Sequence, residues 1–102
     1  MTAKVKFRKK SIVDAVMVVF ENASRYNYPL TAGSVFFVNE AGHVQVGTKK
    51  DSSDPRLNYL FSVGDSDAAF AESVDKVSPK AAKAFYVDVE ARVSAALERM
   101  SN

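Results

Sequence analysis

The spacing of apolar residues changes along this chain, and each spacing predicts a kind of secondary structure. Lys4–Lys10 begins by alternating charged and apolar side chains, which predicts a half-buried strand with its charges outward. The next segment, Ser11–Asn22, is compatible with two structures. Its apolar residues recur at helical spacing behind a capping-box-like Ser11 and Asp14, whereas its β-branched valines favour a strand. We favour a helix, buried on two sides because it is apolar almost all round.

The middle of the chain has the pattern of a β-hairpin over residues 34–48. Two apolar segments, Ser34–Asn39 and His43–Thr48, are joined by Glu40-Ala41-Gly42, whose glycine can adopt a positive φ. Val35–Val38 is apolar on both faces, so we expect this strand to be central. Val44 and Val46 are expected to face inward.

A third strand is predicted at Leu57–Val63, where the residues alternate again. We expect it to extend the hairpin into a meander, with Leu57, Tyr59, Phe61 and Val63 on one face. The polar residues of Lys49–Pro55 predict a loop before it, and Arg25–Gly33 predicts a loop before the hairpin.

Two helices are predicted to end the chain. Asp65-Ser66-Asp67 offers a cap and first-turn acids to a helix over Ala68–Lys76. Ser78 followed by Pro79 predicts the start of a longer helix that runs to about Met100. Its apolar residues recur every three or four positions, and we expect burial of Phe85, Val89 and Val93.

These elements predict a single α+β domain over residues 1–102. A small antiparallel sheet of three to four strands would be covered on one face by helices, including a long C-terminal helix. The chain is 47% hydrophobic and 25% charged, as in ordinary globular domains. Its longest apolar run, Ala15–Phe20, is far shorter than the roughly 18 to 20 residues that span a bilayer. We expect no membrane segment and, without cysteine, a cytoplasmic protein.

Few residues of the chain are suited to catalysis. The only histidine, His43, has no recognisable catalytic partner, and we interpret it as a polar residue after the hairpin turn. The aspartates at 51, 54, 65 and 67 lack the pattern of a calcium loop. The four glycines are isolated and form no phosphate-binding loop. We therefore predict no catalytic residue, no cofactor and no metal, and we keep a small enzyme only as a third class of function.

Charge gives the chain a possible nucleic-acid surface. Residues 1–60 hold nine Lys and Arg against five Asp and Glu, and five of these basic residues lie within the first ten positions. Such a basic N-terminal segment, residues 1–10, could contact phosphates without reading sequence. The solvated strand edge is the simpler interpretation. The predicted nucleic-acid contacts are Lys4, Lys6, Arg8, Lys9, Lys10, Lys49 and Lys50.

A possible protein interface is predicted at Tyr26, Tyr28 and Val18. The two tyrosines flank Asn27 in a predicted loop, where exposed aromatic side chains offer contact area at low entropic cost. Val18 adds to an apolar segment that leaves few directions free for water. Because this apolar surface exceeds what a few helices can cover, we expect a homodimer.

The run Phe7–Val16 resembles the opening of a group of small phage-encoded proteins. There an aromatic-Arg-Lys-Lys-Pro start leads into an apolar strand that carries an acid-Ala-Val. Here Ser11 replaces the proline, the spacing is one residue shorter, and their later Pro-Gly-Asp motif is represented by Gly64-Asp65. The resemblance covers about a tenth of the chain. It implies a strand over Ser11–Phe20 and an origin in a phage or other mobile element.

The sequence thus predicts a small non-enzymatic module, an accessory protein of a mobile element, whose protein partners include a second copy of itself. The alternative is a nucleic-acid-associated protein that uses the basic N-terminal segment.

Overall fold

The computed structural model describes residues 8–23, 25 and 30–101, with three α-helices and three strands. It confirms the predicted α+β fold with a long C-terminal helix. The predicted strand at Lys4–Lys10 lies largely outside the described residues, and Lys9 and Lys10 belong to a helix instead. In chain order the elements are α1 (Lys9–Asn22), β1 (Val35–Asn39), β2 (Val44–Gly47), β3 (Leu57–Ser62), α2 (Asp65–Ser73) and α3 (Pro79–Ser101).

The ambiguous segment is a helix, so the strand implied by the resemblance at Ser11–Phe20 is wrong. The β-branched residues are tolerated because the helical spacing places five apolar side chains in the core, and tertiary packing outweighs propensity. The buried side chains of α1 are Ile12, Val13, Val16, Met17 and Phe20.

The expected cap at Ser11 is also wrong. The helix begins at Lys9, two residues before Ser11. Its N-cap is Arg8, in an extended conformation, and no side chain caps it. Asp14 serves a different purpose, since it accepts hydrogen bonds from Lys10 (2.8 Å) and from the Tyr86 hydroxyl (3.0 Å). The contact with Tyr86 fastens α1 to α3.

The predicted hairpin and its central strand are confirmed, but the meander is wrong. The strand order is β2-β1-β3, and both neighbours are antiparallel to β1. After β2 the chain passes through a short 3₁₀ helix at Lys49–Ser53, which packs against β3, and reaches the far side of β1. A strand with two apolar faces thereby gains a partner on each side.

Because β3 contains a β-bulge, the expectation that its alternating residues from Leu57 to Val63 share one face is wrong. Phe36 is opposite Phe61 and Phe37 is opposite Tyr59, so Leu60 is an extra residue without a partner in the ladder. Tyr59 and Phe61 consequently lie on opposite faces of the sheet, although their spacing of two predicts the same face.

The core lies between the sheet and the helices. Phe36 and Phe61 on the sheet stack near Phe20 of α1, with ring centroids 5.1 to 5.3 Å from Phe36. Burial is confirmed for Val89 and Val93, which are fully covered, whereas Phe85 is half-buried and stacks on Phe70 at 3.9 Å. We call this side of the sheet the inner face.

The ends of α2 and α3 agree with the predicted caps in part. Helix α2 begins at Asp65 and ends at Ser73, followed by a 3₁₀ turn at Val74–Lys76. Its start is fixed by Asp67, which accepts the backbone N–H of Gly64 at 2.9 Å. Helix α3 begins at Pro79 as predicted, and the Ser78 hydroxyl caps it. Among the helices of the described residues, none is both long and apolar enough to cross a membrane.

Candidate functional site

The basic residues predicted to contact nucleic acid are divided between elements. Lys4 and Lys6 lie outside the described residues. Arg8, Lys9 and Lys10 are exposed at the start of α1. Lys10 is paired with Asp14, and this hydrogen bond raises the pKa of Lys10 and lowers that of Asp14.

The other two basic residues, Lys49 and Lys50, are exposed on the 3₁₀ helix that packs against β3. Helix α1 packs against α2, α3 and β2 instead. The described residues that were predicted to form one basic surface therefore lie on two separate elements, α1 and the 3₁₀ helix.

Of the predicted interface residues, the structure describes Val18 alone, because Tyr26 and Tyr28 lie outside the described residues. Val18 projects from α1 with 53% of its surface exposed, and a single exposed aliphatic side chain is common on protein surfaces. It does not stand isolated, since it lines a groove between α1 and β2.

The groove has a volume of about 570 Å³ and carries no charged residue among its described lining. One wall is the second half of α1, where Val18 and Val19 supply the apolar surface. The other wall is β2, whose Val44 and Val46 side chains turn to the inner face and pack against the core. The lining residues are Val18, Val19, Asn22, Ala23, Val44, Gln45 and Val46.

Strand β2 is an edge of the described sheet, and its free side faces the groove. The Asn39 N–H donates to the His43 carbonyl at 2.9 Å, so this pair is hydrogen-bonded. Hydrogen-bonded and non-hydrogen-bonded pairs alternate in antiparallel sheets, so Gln45 also bonds to β1. It follows that Val44 and Val46 direct their N–H and C=O groups away from β1. The edge therefore presents four backbone groups next to an apolar groove.

The arrangement is suited to binding an extended apolar segment. The backbone of such a segment could pair with Val44 and Val46, and alternate side chains could enter the groove. Strand addition uses these two elements together, main-chain hydrogen bonds for affinity and pockets for specificity. None of the described lining residues is a candidate nucleophile or general base.

A second, polar groove of about 370 Å³ lies at the hairpin tip, between Glu40 and Arg56. The Arg56 guanidinium makes two hydrogen bonds to Asp54, at 3.0 and 3.1 Å, and the Arg56 N–H adds a third at 2.9 Å. These bonds lower the pKa of the Asp54 carboxyl group. His43 is exposed beside this tip, and its backbone N–H donates to the Asn39 side chain. The described residues contain no group of three His, Asp or Glu placed to hold a metal ion.

Sequence reasoning identified Val18 but missed Val44 and Val46 as its neighbours. The signal was available in β2 itself, Val-Gln-Val-Gly, which has none of the Lys or Pro residues that usually protect an edge strand. The assumption of a meander concealed it, because a third strand on β2 would have covered this edge.

Comparisons of the chain with protein-family models, with curated proteins and with solved structures gave no match.

Proposed function

We propose that this protein is a non-enzymatic binding module that takes up an extended apolar segment of a protein partner beside β2. The observation that carries the proposal is the continuity between the uncharged open edge of β2 and the groove lined by Val18. A cytoplasmic location and an accessory role in a mobile element remain predictions attached to this proposal.

The physical case for a protein partner is the chemistry of this surface. Each backbone group on the open edge can exchange its bond to water for a bond to a docked strand, and the valines gain burial at about 25 cal/mol per Å² of apolar area. A nucleic acid would find no cation among the described lining residues of the groove.

The alternative proposal is nucleic-acid binding through Arg8, Lys9 and Lys10, which are exposed in a helix turn without an acid. It is the weaker one, because Asp14 already pairs with Lys10. It makes a distinct prediction, since phosphate contacts release counterions and affinity falls steeply between roughly 50 and 200 mM salt.

A peptide library displayed on phage and selected against the protein tests the first proposal. We expect enriched peptides with alternating apolar residues, and Val18→Lys should weaken their binding about tenfold or more, the effect of about 1.4 kcal/mol. Val87→Lys is the matched control, because Val87 has the same 53% exposure but lies on α3. Circular dichroism shows whether each variant remains folded.

Two readouts discriminate the alternatives. Hydrogen exchange by NMR should show that a bound peptide protects the amides of Val44 and Val46. Peptides that bind the wild type and Val18→Lys equally would refute the groove as the binding site. A fluorescent oligonucleotide that binds in a strongly salt-dependent way, and is released by Lys9→Glu, would instead support the nucleic-acid alternative.

A further inference from the structure

We infer that the segment bound beside β2 is β2 of a second copy of this chain, paired antiparallel about a twofold axis through Gln45. This inference rests on the proposed function, because it uses the same edge and the same groove. It adds the identity of the partner and the register of the pairing.

The alternation of hydrogen-bonded and non-hydrogen-bonded residues along β2 fits this register. A twofold axis through Gln45 places Val44 of one copy opposite Val46 of the other, and the reverse. These are the two residues whose N–H and C=O groups point away from β1. Each Val44–Val46 pair can therefore exchange two hydrogen bonds, so the interface has four backbone bonds and leaves none of these groups unpaired.

The side chains are self-complementary in the same register. The four valines lie on the inner face, where they join the two grooves into one apolar surface beneath Val18 of each copy. The two Gln45 side chains meet across the axis on the outer face. A primary amide both donates and accepts hydrogen bonds, so Gln45 can bind its own counterpart.

The charges of β2 do not oppose this register. All four residues of the strand, Val-Gln-Val-Gly, are uncharged, so the twofold pairing brings no two like charges together within it. The chain leaves the strand after Gly47 and forms the 3₁₀ helix at Lys49–Ser53, which packs against β3.

Two experiments test the inference. In the first, light scattering follows the mass as the concentration rises, from the 11.1 kDa of one chain toward twice that value. Val46→Lys introduces two like charges beside the axis, and we expect it to weaken the dimer about tenfold or more. Val87→Lys, on the exposed surface of α3, should leave the dimer intact.

The second experiment tests the axis itself. The chain contains no cysteine, so Gln45→Cys carries a single thiol. Residues opposite each other in a non-hydrogen-bonded pair have Cα atoms about 4.5 Å apart, within the range of a disulfide. We expect oxidised glutathione to crosslink Gln45→Cys into a covalent dimer rapidly. Ser62→Cys, exposed on the opposite edge strand, is the control and should crosslink slowly.

The outcomes separate the two proposals. A chain that stays monomeric, or a dimer in which Gln45→Cys crosslinks no faster than Ser62→Cys, overturns the inference. If peptides still bind in a Val18-dependent way, the proposed function survives that result. If the inference holds, a groove-binding peptide should dissociate the dimer, because both occupy the edge of β2. A monomer that binds no peptide contradicts both proposals.

Discussion

The two edge strands of the described sheet, β2 and β3, differ in their regularity and in their contacts with charged side chains. At β3 the ladder is interrupted by the bulge at Leu60, and the unpaired Leu60 carbonyl accepts a hydrogen bond from Arg99 of α3 at 3.1 Å. The Arg99 guanidinium also lies 5.9 Å from the centre of the Tyr59 ring. At β2 there is no bulge within the register, no charge and no proline.

Among the described residues, β3 is thus the protected edge, and β2 has no strand on its other side. A bulge and a charged side chain are common means of preventing edge-to-edge pairing. Strand β3 has the bulge at Leu60, and the neighbouring helix α3 supplies the charge through Arg99. Strand β2 carries neither, although its unpaired backbone groups favour association in the same way. An edge left open beside an apolar groove is the feature on which the proposed function depends.

The β3 side is also the better anchored one. Arg92 of α3 lies over the Phe61 ring at 5.1 Å and donates two hydrogen bonds of 2.8 Å to Asp67 of α2. A second carboxylate, Asp88, pairs with the same guanidinium. These contacts tie β3, α2 and α3 together, whereas β2 is held to α1 by apolar contacts around the groove.

The largest effect on stability is expected at Phe36, on the central strand between the two edge strands. It is fully buried on the central strand, between Phe20 and Phe61. We expect Phe36→Ala to lower the free energy of unfolding by about 3 to 5 kcal/mol, measured by urea denaturation. Val87→Ala, at an exposed position, should change it by less than about 0.5 kcal/mol. A loss below about 1 kcal/mol for Phe36→Ala would contradict the described core.

The second largest loss of stability is expected at Asp67, which holds Arg92 on the β3 side. Asp67→Ala removes both Arg92 bonds and the acceptor of the Gly64 N–H, so we expect a loss of about 2 to 3 kcal/mol in the free energy of unfolding. The loss is limited because Asp88 still pairs with Arg92. Asp88→Ala is the control and should cost less, since Asp88 is more exposed than Asp67.

The same carboxyl group predicts a dependence of stability on pH. Burial raises the pKa of Asp67, but the bonds from Arg92 and Gly64 outweigh it and hold this pKa below the ordinary 3.8. Asp67 therefore stabilises the fold above pH 3.8, and this contribution is lost as the pH falls through its lower folded value. Urea denaturation between pH 6 and pH 2 should show a smaller acid loss in Asp67→Asn than in the wild type, and equal losses would contradict this role.

The difference between the edges could be predicted from the sequence only in part. Local patterns were sufficient for the hairpin, for the start of α3 at Pro79 and for the burial of Val89, since each depends on neighbouring residues. The strand order and the bulge at Leu60 depend on contacts distant in sequence, and residue spacing does not encode them. Arg99 gave no signal because its acceptor is a backbone carbonyl of β3, which the pattern of side chains does not reveal.

A smaller effect is expected from opening the protected edge. Arg99→Met removes the bond to the Leu60 carbonyl but keeps much of the apolar stem, so we expect a loss of about 1 kcal/mol in the free energy of unfolding. If Arg99 protects β3, the variant should also aggregate more readily than the wild type, which light scattering measures. Arg99→Lys keeps a cation and a donor, and it should restore part of the lost stability. An Arg99→Met variant that aggregates no more readily than the wild type would contradict a protective role for Arg99.

The smallest effect is expected at His43, directly before the open edge. Its N–H donates to Asn39 Oδ1 and its carbonyl accepts from the Asn39 N–H, so both bonds use backbone atoms of His43 and alanine retains them. The side chain is exposed and lies outside the described lining of both grooves. We therefore expect His43→Ala to change the free energy of unfolding by less than about 0.5 kcal/mol and to leave peptide binding unchanged. Asn39→Ala is the informative contrast, because its Oδ1 accepts the N–H groups of Ala41 and His43 and thereby shapes the turn that leads into β2. A folded His43→Ala variant that loses peptide binding would move the binding site from the groove to the hairpin tip.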